Sequence, residues 1–327
     1  MMDKTWRRFV LIHLPLALAF LAFAAELTAL ALKDVPLRRH DLDRTLAFLD
    51  NGGMTAPIAL VGDSVTQDVL KNYRVAPSGK VANLTTNQAS GVVGAYFLLR
   101  RYLETNEPIR HLVIASTPEF FGYVPDRATA KVYLDSVFRQ DDEIDWMTRH
   151  LPNSGAASRE PAVFDLENRI GYPLLALFAP TATALPVGPK TPQPGLAVEP
   201  PPIPASVREE IRGRGEKNLS IVPSVIAALD GLCALAGEKG FTIHILHAPV
   251  PETTLNIWRA RKALDDFHIR LAEAFPASCQ SVSMDDFFAM GSVPDYAMRN
   301  SDHLRRPGWT NRYALKLETY LKPLTGN

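Results

Sequence analysis

Short apolar runs alternate with longer stretches of helical periodicity along much of this chain, and that alternation fixes the fold class. Pro57-Ile58-Ala59-Leu60-Val61 is apolar throughout and stops at Gly62. A run of that length with no polar face predicts a strand buried on both sides, as in a parallel sheet. Lys80 to Leu84, His111 to Ala115 and Phe241 to Leu246 are three further candidate strands, and Val282 lies in a fifth. Between them, helices are predicted over Gly94–Leu103, Ser224–Lys239 (stopped by Gly240), Ile257–Phe275 and Pro307–Leu321. Strand–helix alternation implies βαβ units. The expected fold is α/β, a three-layer sandwich around a parallel sheet.

One region breaks the alternation. Nine prolines fall within the 25 residues Pro180 to Pro204, and such a stretch forms no regular structure. Residues 125–220 therefore read as a Pro-rich insertion between the third and fourth strands. They are expected to serve as a lid or partner surface rather than to hold a catalytic group. The α/β domain is thus expected in two parts, 55–124 and 221–327. No internal repeat is present.

The N-terminus carries a different signal. Phe9 to Leu32 is a nearly unbroken apolar run of 24 residues. As a helix rising about 1.5 Å per residue, it spans a hydrocarbon core of roughly 30 Å. Lys4, Arg7 and Arg8 precede it, which by the positive-inside rule keeps residues 1–8 cytoplasmic and places the rest across the membrane. Lys33, Arg38 and Arg39 weaken that orientation. Ala22-Phe23-Ala24 has the form of a signal-peptidase site. The run nevertheless continues past it, which favours an uncleaved anchor over residues 9–32. A juxtamembrane helix over 33–54 follows, with Leu42, Leu46 and Leu49 on one face.

Charge and cysteine content narrow the function class. Thirty-five basic residues balance 35 acidic ones, so the chain lacks the electropositive footprint of a nucleic-acid binder. The two cysteines, Cys233 and Cys279, have no zinc-ligand spacing. They read as two buried thiols rather than a disulfide. No metal site and no organic cofactor is expected. His244 and His247 are three apart on a strand and so face opposite sides, against a shared metal.

Gly62-Asp63-Ser64-Val65-Thr66 directly follows the first strand. A serine there stands at the carboxyl edge of the sheet, where open α/β folds place their sites. Gly62 permits a tight turn, and the Ser64 N–H at the next helix start can face a developing oxyanion. The bland reading is an ordinary helix cap, since Asp and Ser are good N-caps. Near the other end, Ser301-Asp302-His303-Leu304-Arg305-Arg306-Pro307-Gly308 precedes the last predicted helix.

These two blocks, in this order, resemble the SGNH (GDSL-like) hydrolase superfamily. Its first block is Gly-Asp-Ser, and its last places a His before the terminal helix. The resemblance spans roughly 58–124 and 241–320 and implies Ser64 as nucleophile and His303 as base, on a flavodoxin-like sandwich. Asn83-Leu84-Thr85 followed by Gln88-Ala89-Ser90-Gly91 resembles the middle block, whose Gly donates an N–H to the oxyanion. Gly91 is the implied donor, with Gly94 the runner-up.

Two departures stand out. The family's oxyanion Asn has no counterpart after the third strand, which runs into Ser116-Thr117-Pro118-Glu119. Ser116 or Thr117 is left as a substitute donor. The family's acid stands three residues before the His, a position held here by Asn300. Asp302 is adjacent to His303, an awkward geometry for gripping the same ring. The expected site is therefore Ser64, His303 and Asp302, with Asp63, Asn300 and Ser116 in support, or else a Ser–His dyad.

NLTTNQASG, YFLLRRYLE and HLVIASTPEFF are similar to single-anchor SGNH proteins that act in cell-envelope polysaccharide acylation beside membrane-bound O-acyltransferases. That likeness implies a serine esterase or O-acyltransferase working on acyl, chiefly acetyl, esters of an extracytoplasmic glycan. It would be held at the inner membrane, with a membrane O-acyltransferase as partner. A tethered lipase or thioesterase, or a degenerate scaffold that recruits an acyltransferase, are the alternatives. Tyr296 and Trp309 flank the His block as candidate acyl- or sugar-lining residues, or as core.

Overall fold

The computed structural model describes residues 4–31, 49, 52–53, 55–70, 80–86, 91–124, 138, 140–151, 202–284, 287 and 289–326. The chain divides into two compact units. One comprises Met1–Arg39 with Ser158–Leu185, the other His40–Ala157 with Pro186–Asn327.

In the first unit Lys4–Arg8 is α-helical, Phe9–His13 takes a π register, and α1 (Leu14–Ala31) continues as α-helix. The π turn immediately precedes Pro15, whose missing N–H interrupts the ordinary ladder. Trp6–Ala24 has a mean hydropathy of 1.6 and no buried residue. It is long and apolar enough to cross a membrane, a property that a signal sequence shares.

The second unit is an α/β domain. Its main sheet contains β1 (Ile58–Gly62), β2 (Val81–Asn83), β3 (His111–Ser116), β4 (Thr242–His247) and β6 (Val282–Ser283), in the order β2-β1-β3-β4-β6 with every pair parallel. β5 (Val250–Pro251) and β7 (Ser292–Val293) form a separate parallel pair. The helices are α2 (Ser64–Leu70), α3 (Gly91–Thr105), α4 (Asp141–His150), α5 (Ala205–Glu216), α6 (Pro223–Lys239), α7 (Glu252–Ala260), α8 (Ala263–Glu273) and α9 (Gly308–Leu324).

Strand alternation divides the core in two. Ala59, Val61, Leu112, Ile114, Ile243 and Ile245 pack with Phe97 and Leu98 of α3, Leu229 and Leu232 of α6 and Phe267 of α8. Ile58, Leu60, Val113, Ala115 and Leu246 pack on the other face with Val65 and Val69 of α2, Ile211 of α5 and Leu317 and Leu321 of α9. Helices therefore cover both faces of a parallel sheet, as a three-layer sandwich requires. The sheet reverses its winding between β1 and β3, the switch point at which α/β folds open a crevice.

Several expectations meet a different outcome. The helix expected over Ile257–Phe275 is two helices, broken at Arg261-Lys262, where Lys262 takes a left-handed φ of 56°. No Gly or Pro marks this break. Arg261 is instead drawn onto the C-terminal end of α5, donating to Gly215 O at 3.2 Å and to Asn218 Oδ1 at 2.8 Å. Cys233 and Cys279 are not free thiols but a disulfide, with Cα atoms 5.6 Å apart. Cys279 lies not in a helix but in the turn after α8, where its N–H donates to Pro276 O at 2.7 Å; this turn brings it against α6. Within the segment 125–220, α4 and α5 are ordered helices. Leu49 is buried in the first core, whereas Leu42, Leu46 and most of the expected 33–54 helix lie outside the described residues.

Candidate active site

β1 delivers the serine to the carboxyl edge of the sheet, and the approach of β1 to β3 dictates Gly62. A Cβ there would stand 2.1 Å from the Ala115 carbonyl oxygen, so no side chain fits. Asp63 is 1% exposed and caps α2, accepting from Val65 N at 3.0 Å and Thr66 N at 3.4 Å through Oδ1. Its Oδ2 accepts from both Thr117 N and Thr117 Oγ1 at 2.7 Å. Burial pushes the Asp63 carboxyl above its ordinary value, opposed by these hydrogen bonds from Thr117, Thr66 and Val65. Thr66 Oγ1 adds a bond to Ala115 O at 2.7 Å. The serine turn is thus tied to the exit of β3 at several points.

Ser64, the first residue of α2, faces His303. Its Oγ is 3.1 Å from His303 Nε2. The turn that carries His303 is organised by Asn300, whose Oδ1 accepts from the backbone N–H of Asp302 at 3.1 Å and of His303 at 2.7 Å. The same oxygen lies 3.3 Å from His303 Nδ1. Two backbone donors identify that atom as the amide oxygen, so Nδ1 must be the protonated nitrogen. Nε2 is then the free acceptor, aimed at the serine hydroxyl. Burial lowers the pKa of His303, and Arg299 lowers it further, against the opposing charges of Asp302 and Asp63. The imidazole is therefore neutral near pH 7.

Asp302 is not the residue at the ring. Its side chain is 46% exposed and lies 3.5 Å from Arg214 Nη1. Adjacency to His303 sends the two side chains apart, and Asn300, three residues back, turns under the imidazole instead. Thr117 spends both of its donors on Asp63 and is not free for an oxyanion. Ser116 Oγ is buried with no hydrogen-bond partner among the described residues. Gly91 opens α3 with φ 56°, a left-handed value that favours glycine. A Cβ on it would meet Tyr123 Cδ1 at 3.6 Å. Gly94 lies inside the same helix. Residues 87–90, which lead into Gly91, are outside the described set.

A cleft of about 620 Å³ opens beside Ser64. Among the described residues, Val65 and Tyr123 are its only large apolar lining residues, while Glu119, Glu210, Arg214 and Lys217 contribute charge. Arg214 of α5, which lies in the segment expected to stay out of the chemistry, is 4% exposed. It grips Glu119 with Nε–Oε1 at 2.5 Å and Nη2–Oε2 at 2.9 Å. Burial alone would raise the Glu119 carboxyl; the Arg214 guanidinium outweighs it and holds the carboxyl below its ordinary value. Arg214 belongs to no motif block, and no local pattern pairs it with Glu119.

The flanking aromatics and histidines sit apart from this geometry. Tyr296 and Trp309 meet edge to face at 5.8 Å, with Arg312 over Trp309 at 4.4 Å; Tyr296 is exposed and Trp309 half-buried. His244 bonds to His111 at 3.0 Å on one face of β4, while His247 packs on Phe287 at 5.3 Å on the other. Among the described residues no three His, Cys, Asp or Glu side chains gather as a metal site.

No protein-family model and no curated protein matches the chain. Among solved structures, one from Streptococcus pneumonia, provisionally described as a platelet activating factor, aligns over 87% of this chain and 92% of its own. Identity is 10% and the TM-score 0.38.

Proposed function

We propose that this protein is an SGNH-type serine esterase or O-acyltransferase that works through a Ser64 acyl-enzyme. The observation that carries the reading is the 3.1 Å contact between Ser64 Oγ and a His303 Nε2 that the Asn300 bond leaves unprotonated. A hydroxyl beside a correctly tautomerised, neutral imidazole is the arrangement of an activated nucleophile.

In the first step Ser64 Oγ attacks an ester carbonyl as Nε2 takes its proton. The Ser64 and Gly91 N–H groups receive the oxyanion; one such donor is worth about 10²–10³ in rate. Collapse breaks the ester bond, the leaving alkoxide takes the proton from His303, and the acyl group stays on Ser64. Water or a sugar hydroxyl, deprotonated by the same nitrogen, then discharges it. An amide orients the ring but lacks the charge that a carboxylate offers the imidazolium, so the chemical step is slower than in a full triad.

The cleft supports a small acyl group on a hydroxyl-rich partner. With Val65 and Tyr123 as the only large apolar residues among its described lining, the described part of the cleft offers no wall for a long chain. This favours the glycan acyl ester over the lipase reading. The disulfide supports maturation in an oxidising compartment. The apolar N-terminal helix then acts as a single-pass anchor, with a membrane O-acyltransferase as the source or recipient of the acyl group.

A fluorophosphonate probe on the full-length protein tests the reading. We expect covalent labelling of the wild type and none of Ser64→Ala. Acetyl esters should turn over faster than long-chain esters. Equal labelling of both proteins would exclude Ser64 as the nucleophile.

A further inference from the structure

We propose that Arg214 is a positioning residue for the Ser64–His303 pair: it clamps the turn that carries His303 and keeps Asp302 turned away from the imidazole, leaving Asn300 to orient the base. This rests on the serine-nucleophile reading and adds to it a residue from outside both motif blocks.

The contacts form a closed ring. Arg214 holds Glu119 with two donors and reaches the His303 turn with a third, donating from Nη1 to Ser301 O at 2.8 Å. The same Nη1 lies 3.5 Å from Asp302. Glu119 stands in the short 3₁₀ turn Pro118–Gly122 directly after β3. Two residues earlier, Thr117 holds Asp63, and Asp63 caps the helix that begins with Ser64. One guanidinium therefore joins the exit of β3, which fixes the nucleophile, to the turn that fixes the base. A planar fork can serve both ends at once; an ammonium, a single point charge, cannot.

Arg214 is itself anchored. It stacks over the Trp258 ring at 5.6 Å. Its helix is bonded to α7 by Thr254 Oγ1 to Ile211 O at 2.7 Å, and a Cβ on Gly215 would stand 2.9 Å from Ile257. α5 thus docks too closely on α7 to slide, and Arg214 acts as a fixed strut. Without it, Ser301 loses its tether, and the turn no longer holds Asn300 Oδ1 against His303 Nδ1.

The test uses the full-length chain in detergent, with Arg214→Lys, the double variant Arg214→Met/Glu119→Gln, Asn300→Ala, and all three substitutions combined. The double variant removes both charges of the buried pair, so Glu119 is not left as an unpaired buried carboxylate. Arg212→Met, on the exposed side of α5, is the control. Two quantities are read: the rate of fluorophosphonate labelling, and the His303 tautomer from imidazole ¹⁵N shifts.

We expect the double variant to label about 30-fold more slowly, as a displaced base would, and Arg214→Lys to fall between it and wild type. Its His303 should populate both tautomers. In the Asn300→Ala background the extra loss should shrink to under about threefold, because both changes act through the same imidazole. A double variant with wild-type labelling and tautomer would overturn the proposal. So would a loss undiminished in the Asn300→Ala background, the mark of an independent structural effect. If wild type is not labelled at all yet the tautomer shift appears, the nucleophile reading fails and the clamp stands.

Discussion

Asn300 accepts the backbone N–H of His303 at 2.7 Å and faces the Nδ1 of the same residue at 3.3 Å through one oxygen. A single amide thus shapes the turn and sets the tautomer. Both jobs need an acceptor at that position, and a carboxylate would fill both as well.

Asn300→Asp should therefore keep the turn and add charge beside the imidazolium. We expect kcat on an acetyl ester to rise about tenfold, a barrier change of roughly 1.4 kcal/mol. The acid limb of the kcat/KM profile should move to higher pH, because a carboxylate stabilises protonated His303. Asn300→Ala removes the acceptor from ring and turn together, and should cost about 10²-fold. Asp302→Asn should change kcat less than threefold. A large loss in Asp302→Asn with an unaffected Asn300→Ala would reverse these assignments.

Arg299 gives a second handle on the same base. It lowers the His303 pKa below the ordinary histidine value, after burial, which is the larger cause. Activity that needs neutral imidazole is present above the folded pKa and lost as pH falls through it. Arg299→Gln removes one lowering influence, so its acid limb should lie at higher pH than that of wild type. A kcat/KM profile from pH 4 to 8 reads the shift. An unmoved limb would mean that His303 is not the group titrating.

Fold and site were legible in the sequence to different depths. In the main sheet, β1, β3 and β4 follow from runs of five or six residues long enough to show composition, whereas β2 and β6, three and two residues long, were legible only by their place in the strand–helix alternation. β5 and β7 are two residues each, too short to carry a pattern. Ser64 and His303 stood out because each sits in a contiguous block at an element boundary. Asn300 was visible at the right spacing, but residue type alone gave no reason to prefer it over an acid two positions on. Only the direction of the side chains settles that, and direction depends on the turn. Arg214 and Glu119 were invisible for another reason. Their pairing is long-range, and Arg214 follows a proline-rich stretch that masks the helix it rides on. Likewise, Gly62 reads in sequence as a turn glycine, whereas the structure requires it for the close approach of β1 to β3.

His247 should govern acid stability. It is 2% exposed, and burial, outweighing a bond to Ala248 O, pushes its pKa down to about 4 from 6.5. The unfolded chain therefore binds a proton that the folded one refuses between those values. Stability is full above pH 6.5 and falls as pH drops toward 4, by about 3 kcal/mol at most. Thermal melts of wild type across that window should show the decline. His247→Gln should flatten it while lowering Tm at pH 7 through lost packing on Phe287. An unchanged slope would place the acid sensitivity elsewhere.

The disulfide ties stability to topology, and it supplies the last prediction. Cys233 and Cys279 close a loop across 46 positions of chain, and a loop of that size is worth about 4 kcal/mol in chain entropy. At about 2–4 °C per kcal/mol for a domain of this size, Cys233→Ser/Cys279→Ser should lower Tm by roughly 10 °C. Ser64 labelling at 25 °C should be unchanged, because neither cysteine touches the site. A bond of this kind persists only where the compartment is oxidising. In cells, both thiols should then resist maleimide until reductant is added. A C-terminal alkaline phosphatase fusion should be active and sediment with membranes. Interrupting the Trp6–Ala24 segment with Leu16→Arg and Leu18→Arg should retain the chain in the cytoplasm, where the thiols become reactive and the fusion silent. An active fusion recovered in the soluble fraction would identify the segment as a cleaved signal. Thiols reactive in the wild type would place the domain on the cytoplasmic side.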